Sequence, residues 1–304
     1  MKRTFLRRLR AAYLVGAAGF VAWLVATRWD ELSVLLRGTR PGWLLVSLVT
    51  SFGLLILSPI IWRTVLDASG SPVPLGDLVH AAARSVLGRY IPGSVWFAVG
   101  RVALLSRAGV PAARLTLAAT TEMALSIATT IGIGALVLGL NGELPGGVAV
   151  SLLASLGIVV VATPPLGGLL LAAIAARRGL AISEISWAGY AASLAAVVAF
   201  WAWSALTFAV YLRAFPAADG FHAWVVIGGF LFSWGVGFLA FVAPQGVGVF
   251  EVTLASILAT DGIATVAVVI GGYRVVMLAR DVIAAMLAEV TASQRAAPPS
   301  APMG

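Results

Sequence analysis

Residues 88–109 read "GRYIPGSVWFAVGRVALLSRAG", and this stretch decides the fold. Pro92 and Gly93 must end a helix. Proline lacks the N–H that an interior turn needs and disfavours helix in the residue before it, while glycine lets the backbone turn. Arg89, Arg101 and Arg107 lie around that break. Yet the chain is strongly apolar: 61% of its 304 residues are hydrophobic and 11% are charged, with mean hydropathy +1.02. A soluble domain carries about 25% charged residues, so here the solvent is expected to be largely lipid. In lipid, backbone groups freed by a break are tolerated only when protein buries them or a wet cavity solvates them. The break therefore points into the interior of a membrane bundle.

Working outward, apolar segments of spanning length fall at about 11–27, 43–62, 115–140, 148–175, 187–212, 222–243 and 264–289. Each approaches or exceeds the roughly 20 residues that cross about 30 Å of hydrocarbon. Two further segments, 77–106 and 244–262, are interrupted and predict re-entrant pieces that enter and leave on one side. The expected fold is all-α, a polytopic helix bundle of about 7–8 transmembrane helices with two Pro/Gly-broken re-entrant segments. Residues 1–290 form one membrane domain, and "TASQRAAPPSAPMG" (291–304) has the composition of a disordered tail. The N-terminal apolar run lacks a convincing cleavage site before Arg28, so it reads as a retained helix and not as a signal peptide.

The net charge is +8, and 19 of the 20 basic residues are arginine. Because the cations sit between apolar runs, membrane topology and anionic headgroups account for them, and no nucleic-acid partner is expected. Lys2, Arg3, Arg7, Arg8 and Arg10 predict a cytoplasmic N-terminus, with Arg63, Arg101, Arg107, Arg114, Arg177 and Arg178 on the same side. The loop "NGELPGG" (141–147), free of Lys and Arg, falls outside. The loop 28–40 is awkward, since it puts three arginines outside. No cysteine is present, which excludes disulfides and thiolate chemistry. The sequence has no His-Glu-x-x-His, no clustered acidic metal motif and no phosphate-binding G-x-x-x-x-G-K-[ST] loop. No enzyme activity, metal or other cofactor is expected.

A second break, "FVAPQGVGVFE" (241–251), carries Pro244, Gly246 and Gly248, and Pro244 lies 152 residues after Pro92, half the chain. Interrupted helices in corresponding positions of two halves point to a midplane binding site of a transporter. Isolated charges sharpen that reading. Glu122 begins a polar stripe with Ser126 and Thr129, and Arg274 sits about 15 Å into its helix, with Asp281 two turns further on the same face. A charge there costs on the order of 3 kcal/mol, so each should find a partner within the bundle. Glu251 is the expected partner of Arg274. Two readings of that pair stand: a structural brace for the broken helix, or a pair that also meets a charged headgroup. Arg89 and Arg101 likewise read either as anchors snorkelling to the cytoplasmic headgroups or as forks for phosphate oxygens. Arg107 and Arg114 read as anchors. Asp77, His80 and Arg84 share the face of an amphipathic helix and read as ordinary salt-bridging groups.

In order and spacing, "LGRYIPGSVWFAVGRVALLSRAGV" (87–110), "TTEMALSIA" (120–128), "PQGVGVFEVTLASILATDGI" (244–263) and "GGYRVVMLARD" (271–281) resemble the transmembrane region of lysylphosphatidylglycerol synthase/flippase proteins. The likeness covers roughly residues 10–290. It departs in Met123 and Ser126, where the family often has arginine and an acidic residue, and in Gln245 of the second break. With no aminoacyl-transfer domain expected in these residues, the resemblance implies a stand-alone flippase-like bundle moving a phospholipid or polyprenyl-phosphate-linked lipid between leaflets. The alternative is an accessory subunit that presents such a lipid to a separately encoded transferase. By motif, the implied site is Pro92, Gly93, Arg101, Glu122, Pro244, Gly246, Gly248, Glu251 and Arg274, to which the arginine argument adds Arg89. Expected partners are membrane lipids with an anionic or phosphate-bearing headgroup, and a transferase or a second copy of the chain. The expected location is the bacterial inner membrane.

Overall fold

The computed structural model describes residues 38–90, 96–154, 186–240, 246–258 and 263–296, with positions 30, 33 and 157. The first expected span, most of 148–175 and both proline breaks (91–95 and 241–245) lie outside the described residues. Regular structure among the described residues is entirely helical: α1 (Pro41–Ser51), α2 (Leu54–Ala68), α3 (Leu75–Ser85), a 3-10 turn (Val86–Tyr90), α4 (Trp96–Arg107), α5 (Ala112–Leu140), α6 (Trp187–Leu212), α7 (Ala223–Leu239), α8 (Val249–Leu258) and α9 (Ile263–Ala296). Among the described residues, three stretches are long and apolar enough to cross a membrane: Pro41–Ala68, Ala112–Leu140 and Trp187–Leu212. The chain is a multi-pass membrane protein.

The helices beside the breaks are short. α3 has 11 residues, α4 has 12 and α8 has 10, so each extends about 15–18 Å, roughly half the hydrocarbon thickness. Gly88 lies against the backbone of Trp96 and Phe97, where an added Cβ would stand 2.9 Å away, and Gly100 lies against Ser85. The two arms of the first interruption are thus packed backbone to backbone.

The span expected at 43–62 is broken into α1 and α2 at Phe52–Gly53. Here the Phe52 and Gly53 N–H groups bond to Val49 and Thr50 carbonyls at 3.1 Å in place of the α-helical pattern. The kink survives in an apolar setting because side chains reach its carbonyls. Trp203 Nε1 donates to Thr50 O (2.8 Å) and Arg280 Nη1 to Ser51 O (3.4 Å). α9 continues to Ala296, six residues into the stretch whose composition suggested a tail. Residues 297–304 lie outside the described set.

Two packing devices fix the interior. α5 and α7 approach closely through glycines: a Cβ on Gly134 would stand 2.5 Å from Phe232 N, and one on Gly235 2.4 Å from the Ile131 side chain. On the other side of α7, Phe208, Phe230, Phe250 and Tyr273 form an aromatic core, with Phe208–Phe230 stacked at 4.9 Å and Phe208–Tyr273 edge-on at 5.1 Å. Tyr211 Oη donates to Val269 O (2.7 Å) across this core. Phe250 and Tyr273 immediately precede Glu251 and Arg274, so the core sets the position of both charges.

The end of the bundle carrying Arg40 is tied by Arg40 and Asp219, with paired bonds of 3.1 and 2.7 Å. One of the arginines that made 28–40 awkward is therefore neutralised locally. The bond from Arg40 holds the Asp219 carboxyl below the usual carboxylate range. At α3, Arg84 bonds Glu289 of α9 at 2.7 and 3.2 Å, as its amphipathic setting led one to expect.

Candidate polar site

At the second interruption, Gly246 and Gly248 adopt φ of +64° and +86°, the left-handed region that glycine tolerates. Gly246 also packs so tightly on Gly237 of α7 that a Cβ would stand 2.7 Å from its Cα. The chain then enters α8, where Glu251 occupies the third helical position. Its Oε2 accepts the Gly248 N–H (2.7 Å), a side chain reaching back to cap its own helix. Its Oε1 accepts from Arg274 Nε of α9. The Arg274 guanidinium also lies over the Trp234 and Phe250 rings, at 5.5 and 5.6 Å. The expected Glu251–Arg274 pair is present, with both charges and one backbone donor satisfied inside the bundle.

At the first interruption, Arg101 is 2% exposed. It neither snorkels nor anchors the chain to headgroups, which corrects that reading and removes it from the positive-inside tally. It is held by α2 and α5. Nη2 donates to Ser58 Oγ (3.2 Å), Nη1 lies 3.7 Å from Glu122 Oε2, and the guanidinium covers the Trp62 ring at 4.6 Å. Glu122 also accepts from Ser58 Oγ (3.0 Å) and Trp62 Nε1 (2.6 Å). Ser58 and Trp62, one turn apart on α2, are thus members of the site that sequence reading missed. Among the described residues, Arg101 Nε and Nη1 are buried with no hydrogen-bond partner.

A third charged group joins the first interruption to α9. Asp281, fully buried, accepts two bonds from Arg280 (2.8 and 2.6 Å) and one from Tyr90 Oη (2.8 Å), while Arg89 Nη1 stands 3.6 Å away. Tyr90 and Arg280 were also missed. Arg89 lies over the Phe97 ring at 5.7 Å. Arg274 and Asp281, seven residues apart, set their two charged groups about 10 Å from each other along α9. Of the residues expected at the site, Arg89, Arg101, Glu122, Gly246, Gly248, Glu251 and Arg274 all lie at one or other of these groups; Pro92, Gly93 and Pro244 fall outside the described residues. By contrast Arg63 and Arg107 are exposed, and Arg63 pairs with Asp67 at 3.5 Å.

Comparison with protein families matches residues 10–284 to the lysylphosphatidylglycerol synthase TM region. Comparison with curated proteins gives no match.

Proposed function

Because the chain belongs to the lysylphosphatidylglycerol synthase transmembrane family, we propose that it is a lipid translocator that carries a phospholipid or polyprenyl-phosphate-linked headgroup between leaflets while the tails stay in hydrocarbon. The observation that carries this reading is the set of charged groups inside the bundle: Arg101–Glu122 at one interruption, Glu251–Arg274 at the other, and Asp281 between them on α9. Each ion is expensive to insert, and bracing a broken helix accounts for only some of them. A polar headgroup does need such groups, since crossing bare hydrocarbon would leave its own polar atoms unpartnered. The half-length helices α3, α4 and α8 fit re-entrant segments lining that route. The same reading takes the protein to be a bacterial inner-membrane transporter with a cytoplasmic N-terminus and no catalytic step of its own.

The test is translocation in liposomes. Purified wild-type protein should render inner-leaflet NBD-phospholipid accessible to dithionite, and protein-free vesicles should not. Arg107→Ala, at an exposed anchor, should match wild type. A folded, inserted wild type that translocates nothing refutes the reading. The second reading, lipid presentation to a transferase, draws on the family's description as the membrane region of a synthase. A transferase that co-purifies and depends on this chain for activity would favour it.

A further inference from the structure

We propose that the first interruption is a seat for one phosphodiester-class anion, held between Arg101 and Arg89, and that Glu251–Arg274 is a fixed brace that contacts no ligand. The proposal builds on the lipid-carrier reading for the source of the phosphate. It separates two groups that the sequence left equivalent.

Local charge is the first ground. Among the described residues, Arg89, Arg101 and Arg280 meet two carboxylates, Glu122 and Asp281. Arg280 already gives Asp281 two short bonds and Tyr90 a third, so Arg89 at 3.6 Å is surplus to that carboxylate. Arg84, on the neighbouring helix, is consumed by Glu289. These groups therefore carry one more guanidinium than carboxylate, with Arg89 sharing a carboxylate that Arg280 already occupies, and an anion would balance the excess. At the second interruption, one carboxylate meets one guanidinium and the charges balance.

Unused donors are the second ground. Among the described residues, Arg101 Nε and Nη1 are buried and unbonded, although Glu122 stands beside them at a distance fit for charge attraction but not for a hydrogen bond. Nε and Nη1 lie on different edges of the guanidinium, since Nε shares its edge with the Nη2 that bonds Ser58, so each is a single unspent donor for one oxygen of an anion. Arg89 is placed to supply the second grip. It lies over Phe97, and Phe97 and Arg101 share a face of α4 at i and i+4, about 6 Å apart. Its side chain is 28% exposed, so it can reach an incoming headgroup before the ligand is buried. At Glu251 both oxygens are engaged, by Arg274 and by the Gly248 N–H.

The test is thermal unfolding of the purified full chain in uncharged detergent. Three additives are compared: dioleoyl phosphatidylglycerol (one phosphodiester charge), dioleoylglycerol (the same tails without phosphate) and inorganic phosphate. Phosphatidylglycerol should raise the Tm and dioleoylglycerol should not. Arg101→Gln should abolish the increment. Because that change leaves Glu122 unpaired, the charge-balanced double variant Arg101→Gln/Glu122→Gln must also lack it. Arg89→Gln should raise the half-saturating lipid concentration about tenfold, the worth of one charge-assisted hydrogen bond. Glu251→Gln/Arg274→Gln should start from a lower Tm yet keep the full increment. Equal stabilisation by dioleoylglycerol, an increment retained without Arg101, or one lost with the Glu251–Arg274 pair overturns the assignment. Stabilisation by inorganic phosphate and not by phosphatidylglycerol upholds the anion seat but makes its ligand a free anion, which counts against the lipid reading alone. An Arg101-dependent lipid increment in a protein that fails to translocate upholds the seat and refutes only transport.

Discussion

Replacing Glu251 with alanine isolates what the second interruption is made of. The side chain performs two tasks at once, since Oε2 takes the Gly248 N–H at 2.7 Å and Oε1 takes Arg274 Nε. Losing a helix cap costs about 1 kcal/mol. Leaving a buried cation unpaired costs about 3 kcal/mol, the lower end being apt because the Arg274 side chain is 19% exposed and rests on two aromatic faces. Glu251→Ala should therefore destabilise the protein by about 4 kcal/mol. Glu251→Gln keeps an oxygen for the Gly248 N–H and should cost about 3 kcal/mol, so the gap between the two variants measures the cap. Adding Arg274→Met to Glu251→Gln removes the stranded charge and should restore about 2 kcal/mol. Equilibrium unfolding in mixed micelles gives these values, and adding Arg274→Met alone completes the double-mutant cycle. If the Glu251 and Arg274 substitutions add to within about 0.5 kcal/mol, the pair does not brace the half-helix.

Three further outcomes follow from the packing and the rim. Gly134→Ala should cost about 1–3 kcal/mol, since its Cβ would meet the Phe232 backbone at 2.5 Å, whereas Gly146→Ala, with nothing within 4 Å, should be nearly neutral by the same unfolding assay. Trp203→Phe should cost about 1 kcal/mol by weakening the hold on the Thr50 carbonyl at the α1–α2 kink, with faster amide exchange confined to residues near 50–57. Asp219 titrates below its ordinary value of 3.8 because of the bond from Arg40. A depressed carboxylate stabilises the fold above its unfolded pKa, so the Tm advantage of wild type over Asp219→Asn should hold at neutral pH and shrink as pH falls below that value.

Much of the bundle could be read because lipid leaves the backbone few options. The segment read as 187–212 is α6, Trp187–Leu212, marked by Ser186 at its start, whose hydroxyl takes the Gly189 N–H. Glu251 and Arg274 could be paired from sequence because an isolated buried charge needs an opposite one nearby. Neutral donors send no such signal, so Ser58 and Trp62 stayed hidden inside an ordinary apolar span. Asp281 stood out as an isolated charge, but its partner Arg280 was hidden for another reason. Neighbours in a helix point about 100° apart, so the pair exists only because the arginine stem folds back, and only Tyr90, 191 residues away, completes it. Arg101 kept two readings, anchor or phosphate fork, because composition near a membrane face does not distinguish a buried guanidinium from an anchored one. The turn at Phe52–Gly53 depends on Trp203 and Arg280, which lie far along the chain.

The two interruptions share one construction with the signs reversed, and the reversal has a physical consequence. In each, a half-helix is followed by a long helix bearing the opposite charge: Arg101 on α4 with Glu122 on α5, then Glu251 on α8 with Arg274 on α9. The packing is reciprocal as well, since α3, before the first break, lies on α9, while α7, before the second, lies on α5. A carboxylate at the third position of a half-helix satisfies that helix's own N-terminal donor and its positive dipole end, so α8 is locked by the charge it carries. An arginine in the middle of α4 has no local backbone to satisfy and must seek oxygens elsewhere. Ser58 and Glu122 supply only part of what it can bind. Reversing the signs thus makes one interruption self-sufficient and leaves the other in need of an anion.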